Sequence, residues 1–219
     1  MNTKLACLAT AAVVAIAAYS LAADHETPSV SADAALEKLR AGNARYAEAK
    51  TSAPKPVAEA RKANAESQHP FAIVVGCADS RVAPEIVFDE NIGALFVVRT
   101  AGNLVDDYAL GSIEYAVEHL GTRLIVVLGH ERCGAVQAAV GAADAPGHVG
   151  NIVRDIQPAV QAAKKKNGDV LVDAIKENVT RVAAKIDGDK AVMGEHGPTE
   201  VKVVKGYYDL DTGKVEWLP

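Results

Sequence analysis

Two short clusters carry side chains able to grip a cation and activate water: Gly76-Cys77-Ala78-Asp79-Ser80-Arg81 and Gly129-His130-Glu131-Arg132-Cys133-Gly134. Two cysteine sulfurs and one imidazole suit a borderline-soft ion such as zinc, and the His-x-x-Cys spacing sets His130 and Cys133 one turn apart, where both can face one ion. Cys77, His130 and Cys133 leave the fourth position of a tetrahedral zinc open. That vacancy separates a catalytic zinc from a closed structural one, because a water bound there has its pKa lowered to about 7. Asp79, two residues past Cys77, is placed either to accept a hydrogen bond from that water or to take the fourth position itself in an inactive closed form. Arg81 offers a fixed cation beside a site that thiolates and hydroxide make net negative, and a bidentate pair with Asp79 keeps the carboxylate off the metal. The competing reading is a Cys77–Cys133 disulfide, which gives no reason for His130 to stand three residues from Cys133. His25, His69, His119, His148 and His196 have no comparable neighbours and read as surface or structural.

Both clusters leave the ends of short apolar runs. Phe71–Val75 leads into the first and Leu124–Leu128 into the second, and Leu95–Val98 is a third run of the same character. Continuous apolar runs of this length read as strands buried on both faces of a parallel sheet. Between the runs at Leu95–Val98 and Leu124–Leu128, Leu110, Ile113, Val117 and Leu120 recur at helical spacing, so strand, helix and strand make a crossover. Ligands in open α/β sheets bind outside the carboxyl ends of the strands, so polar clusters leaving that edge can converge. Ser31 caps a helix through Ala35, Leu36, Leu39 and Tyr46, expected to be one surface helix or a pair broken near Gly42-Asn43. Residues 50–70, with three prolines, read mostly as a connection with a short helix over Val57–Ala65. Past Cys133 come Ala/Val-rich helical stretches, a solvated Lys164-Lys165-Lys166 cluster and an amphipathic helix with Leu171, Ile175, Val179, Val182 and Ile186. Val201–Tyr208, a turn at Asp211-Thr212-Gly213 and Lys214–Trp217 read as a β-hairpin.

The 219 residues are 49% hydrophobic and 23% charged, the balance of a globular chain, with no linker to divide them. A net charge of -5 gives no basic footprint for nucleic acid. Residues 1–23, with Lys4, an apolar stretch over Leu5–Ala18 and small residues at Ala22-Ala23, read as a secretory leader cut after Ala22 or Ala23. The alternative is a membrane-anchoring helix, for which the stretch is short. One body over residues 24–219 then remains, exported to a compartment such as the bacterial periplasm, without a membrane anchor and with two of the three cysteines.

The segments C-A-D-S-R at Cys77–Arg81, V-V-R-T-A-G-N at Val97–Asn103 and G-H-E-R-C-G-A-V at Gly129–Val136 closely resemble the β-class carbonic anhydrases. The resemblance runs from the helix near Leu36 to the hairpin at Tyr207–Gly213. It implies an α/β fold with a mainly parallel central sheet, an antiparallel edge strand and flanking helices. It also implies a zinc enzyme that interconverts CO2 and bicarbonate by zinc-bound hydroxide. Cys77, His130 and Cys133 would be the ligands, Asp79 and Arg81 the catalytic dyad, and the Gly102 N–H would lie near substrate. An obligate homodimer, often paired into a tetramer, is implied as well. Members with a regulatory bicarbonate site often carry V-A-N and an early tryptophan; here Ala101-Gly102-Asn103 and a lone Trp217 stand instead, so that site is not expected. Two rivals are a zinc hydrolase of carbon disulfide or carbonyl sulfide, using the same chemistry, and a non-catalytic exported binding protein with Cys77 bonded to Cys133.

Overall fold

The computed structural model describes residues 30–52, 57–194 and 200–219. The leader expected over residues 1–23, and with it the start of the body at residue 24, lies outside them, as do His25 and His196.

Five strands form one sheet in the order β2-β1-β3-β4-β5. β1 (Ala72–Cys77) lies between β2 (Leu95–Thr100) and β3 (Leu124–His130), parallel to both, and β4 (Lys202–Tyr208) continues the parallel set beside β3. β5 (Val215–Leu218) pairs antiparallel with β4, completing the hairpin and the expected mixed edge. The crossover through α4 (Asp107–His119) carries the chain from β2 past β1 to β3, so the order reverses between β1 and β3. A crevice opens at such a reversal, outside the carboxyl ends of the two strands. Cys77 ends β1 and His130 ends β3.

Every residue of β1 and β3 is buried, which explains their unbroken apolar runs. Their side chains alternate between two layers. Val74, Leu124, Val126 and Leu128 pack towards α1 (Ala32–Ala47) and α3 (Pro84–Val87), while Ile73, Val75, Ile125 and Val127 pack towards α4 and α7 (Val170–Asp187). A third cluster, holding Cys77 and Cys133, is built by α5 (Gly134–Gly141), α6 (Val149–Ala163) and α7. α2 (Val57–Ala63) and α8 (Lys190–Met193) are short. The Lys164-Lys165-Lys166 cluster is exposed, as its composition indicates.

Of the two arrangements expected for α1, the single surface helix is found and the broken pair is not: Asp33, Glu37, Lys38 and Arg40 lie exposed on one side of it. It runs unbroken through Gly42 and Asn43, buries both together with Ala35, Leu36 and Leu39, and starts at Ser31, whose hydroxyl accepts from Ala34 N–H at 3.3 Å. Gly42 is there for closeness: a Cβ at this position would stand 1.9 Å from the Phe88 carbonyl oxygen. Asn43 is fully engaged. Its Nδ2 donates to the carbonyls of Val87 (3.1 Å) and Gly213 (2.8 Å), and its Oδ1 accepts from Val215 N–H (2.8 Å). One buried side chain thus ties α1 to α3 and to the β4–β5 hairpin. Among the described residues no helix is long and apolar enough to cross a membrane.

Candidate metal centre

The three expected ligands meet. The sulfurs of Cys77 and Cys133 and a ring nitrogen of His130 all lie within 4.8 Å of one another, and each residue is buried. A tetrahedral zinc with ordinary Zn–S and Zn–N bonds spaces its ligand atoms by about 3.4–3.8 Å, within reach of this arrangement. Both cysteines are free thiols, so the disulfide considered from the sequence is not formed.

His130 gives the most direct test of whether a cation fits. Its Nδ1 lies 2.9 Å from the Glu131 carbonyl oxygen. A carbonyl can only accept, so Nδ1 carries the proton and Nε2 presents a lone pair. Yet Nε2 is buried with no hydrogen-bond partner among the described residues, and the whole side chain is 0% exposed. An orphaned, buried lone pair beside two sulfurs is costly unless an electron-pair acceptor sits there. A dication satisfies it.

The thiols argue the same way. A hydrogen bond from Cys133 pulls Cys77 well below the ordinary thiol range, against its burial, with further help from the Gly102 N–H. The same contact with Cys77, then burial, pushes Cys133 up, while the N–H groups of Val136 and Ala135 at the start of α5 oppose the rise. The pair carries one negative charge readily and a second only when a cation stands between the sulfurs. Gly102 N–H donates to Cys77 Sγ at 3.3 Å from the 3-10 turn Ala101–Asn103. The left-handed φ of Gly102 (72°) aims that N–H, and Asn178 of α7 fixes the turn by donating to the Gly102 carbonyl at 2.8 Å.

Asp79 and Arg81 form the pair anticipated. Arg81 donates from Nε to Oδ1 (2.9 Å) and from Nη2 to Oδ2 (2.6 Å), and its own N–H reaches Oδ1 at 2.9 Å. These bonds, led by the side-chain contact, hold the Asp79 carboxyl far below the usual carboxylate range. Oδ2 stands 3.8 Å from His130 Nε2, facing the metal position without bonding to the ring. Of the two roles open to Asp79, the structure shows the carboxylate in the grip of Arg81.

Sequence reasoning missed the groups behind this arrangement. Arg99 on β2 donates from Nε to the Cys77 carbonyl (2.8 Å) and from Nη2 to the Asp79 carbonyl (2.6 Å), clamping the segment that carries both. It lies inside the V-V-R-T-A-G-N segment, but nothing local tells that it reaches across to β1. Asn178 did leave a signal: it is a polar residue on the apolar face between Ile175 and Val179. His69, His119 and His148 are exposed and away from the ligand cluster. A cavity of about 570 Å³ lies beside the 3-10 turn, lined by Thr100, Ala101, Leu104, Asn151 and Ile152 among others, and none of the three ligands borders it.

A sequence profile described as carbonic anhydrase matches residues 72–215, from the first residue of β1 to the first of β5. The chain belongs to the β-class carbonic anhydrases. It is 38% identical to the carbonic anhydrase of Mycolicibacterium smegmatis over 188 residues, which is 84% of this chain and 91% of that one. Carbonic anhydrase 2 of Mycobacterium tuberculosis is 38% identical over 193 residues, covering 85% of this chain and 93% of the relative. Among solved structures, the β-carbonic anhydrase of Coccomyxa in complex with acetazolamide superposes with a TM-score of 0.65 at 29% identity, over 74% of this chain and 77% of that one. The fold is shared with the tetrameric β-carbonic anhydrases of Sordaria macrospora at a TM-score of 0.66 and 21% identity, over 74% of this chain and 90% of that one. The family match spans all three ligand positions and the Asp79–Arg81 pair, so membership and local geometry point to one centre.

Proposed function

We propose that this chain catalyses the reversible hydration of CO2 to bicarbonate and a proton, with one zinc per subunit held by Cys77, His130 and Cys133. The observation that carries the metal assignment is the buried, unpartnered His130 Nε2 beside two free thiols. When bound, zinc lowers the pKa of a coordinated water to about 7 and so supplies a strong nucleophile near neutral pH.

The rest is done by the chain. Asp79 accepts a hydrogen bond from the reacting water and turns its lone pair towards CO2; as the bonds from Arg81 keep the carboxylate ionised, it serves as an acceptor throughout the working pH range. Arg81 holds that carboxylate in place and adds a positive charge for the bicarbonate product. The Gly102 N–H, 3.3 Å from the Cys77 sulfur, draws charge from the thiolate, and on this reading it lies near the bound substrate. Water then replaces bicarbonate, and the proton passes to buffer. Asp79 Oδ2 stands 3.8 Å from His130 Nε2, so Asp79 released from Arg81 would be the group able to join the three ligands in an inactive closed form.

A homodimer is part of this reading. β2 pairs only with β1 among the described residues, and its Phe96, Val97 and Val98 are half-buried, an apolar edge that a second copy would cover. The tetrameric assembly of the Sordaria macrospora enzymes supports pairing of such dimers. Export follows from the leader at residues 1–23, and amino-terminal sequencing of the secreted protein, expected to begin at Ala23 or Asp24, tests it. Proton release from CO2 by zinc-loaded protein is the direct assay. Release of sulfide from carbonyl sulfide with no turnover of CO2 would favour the hydrolase instead.

A further inference from the structure

Between the two ligands of the second cluster the chain makes a turn that few residues take. Arg132 has a φ of 52°, the left-handed region, where a side chain other than glycine is strained and persists only if its surroundings hold it. Its guanidinium is half-exposed and forms a two-pronged pair with Asp211 of the β4–β5 turn, Nη1 to Oδ2 at 2.9 Å and Nη2 to Oδ1 at 2.7 Å. Glu131 adds a second tie to that turn: its carboxylate accepts from Leu210 N–H at 3.1 Å, and its N–H donates to the Tyr208 carbonyl at 2.8 Å.

The turn is itself built to stay put. Asp209 Oδ1 accepts from the N–H groups of Asp211 (3.0 Å) and Thr212 (2.7 Å), and the Gly213 carbonyl accepts from Asn43 of α1. On the other side, the Arg132 carbonyl accepts from Arg81 Nη2 at 3.3 Å, the nitrogen that also grips Asp79. The hairpin turn, the bend between His130 and Cys133, and the Asp79–Arg81 pair are therefore joined through one residue.

Building on the zinc-ligand reading above, we propose that Arg132 is a positioning residue whose clasp with Asp211 holds the His130–Cys133 bend in place, slows zinc loss and steadies Arg81. A surface ion pair alone stabilises little. This one gains leverage because what it fixes is the spacing of two ligands on a strained segment, and groups behind metal ligands commonly change metal affinity by about 10–100-fold.

The test is zinc release from loaded protein into excess chelator, compared for the unaltered chain, Asp211→Asn and Arg132→Ala. Release is expected to quicken roughly ten-fold in both, the low end of that range for an indirect tie. Glu216→Gln, which removes a surface pair between the same hairpin and Lys176 of α7, is expected to leave it unchanged. The reversed pair Arg132→Asp with Asp211→Arg should restore slow release, since aspartate tolerates the left-handed bend. In zinc-free, reduced protein, Asp211→Asn should also raise the rate at which Cys133 reacts with a thiol reagent, a readout independent of bound metal. Release within two-fold of the unaltered chain in either single variant, or a reversed pair as leaky as the singles, overturns the clasp. Failure of the reduced, unaltered chain to hold zinc at all overturns the ligand reading instead.

Discussion

Arg81 binds Asp79 through its main-chain N–H as well as its side chain, so the pair is set by local geometry and then locked by charge. Replacing Arg81 with alanine removes the two side-chain bonds and leaves Asp79 free to turn on to the metal. Turnover measured as proton release from CO2 should fall on the order of 100-fold with zinc retained, the scale expected for loss of an oriented group in a preorganised site. Arg81→Lys should recover little, because an ammonium cannot reproduce the two-pronged grip. Undiminished turnover in the alanine variant would remove Arg81 and Asp79 from the mechanism. The pair also has an acid signature. The folded-state pKa of Asp79 is depressed, so its contribution to stability is complete above the unfolded aspartate value of about 3.9 and is lost as pH falls below it towards the folded value. In urea unfolding of zinc-free protein, the stability gap between the unaltered chain and Arg81→Ala should be constant above about pH 5 and shrink progressively below pH 4. A gap that widens on acidification contradicts the assigned ionisation. Cys77→Ser should abolish zinc binding and turnover together, since a hydroxyl keeps its proton where a thiol yields it.

At the scale of elements, α1 is held by its least helix-like residues. Gly42→Ala forces a methyl against the Phe88 carbonyl and should cost about 1–3 kcal/mol as α1 is pushed off α3. Asn43→Ala leaves the buried Val215 N–H without its acceptor and should cost about 2–3 kcal/mol. Both are read from urea midpoints, and an unshifted midpoint for either would show that the contact does not bear on stability. The same pair shows why the sequence leaves a break near Gly42-Asn43 open. Glycine and asparagine disfavour helix locally, and the partners that outweigh this preference lie 44 to 172 residues away in the chain. Strands β1 and β3 were legible because burial on both faces writes an unbroken apolar run, and α4 and α7 because one buried face writes a period. Cys77, His130 and Cys133 were legible because metal chemistry restricts residue type and because both clusters follow strand ends. Arg99, Arg132 and Asp211 were not, because a long cation reaching a distant carbonyl or carboxylate leaves no periodic trace.

For the molecule as a whole, the reversal of strand order between β1 and β3 is what makes one centre out of two distant clusters. The described surface also leaves β2 as an apolar edge, and sedimentation should give a dimer or a multiple of it at micromolar concentration. A stable, fully active monomer would show that this edge has no partner. The net charge of -5 does nothing to draw in a neutral gas, so catalysis rests on the centre rather than on steering. The most direct measurement is metal content set against CO2 hydration in the same purified, reduced sample. One zinc per chain is expected, with activity lost in proportion as a chelator removes it, regained on adding zinc back, and two thiols titratable in the zinc-free, leaderless chain. Full activity without metal, or a native bond between Cys77 and Cys133, would contradict a zinc held by these two sulfurs and His130.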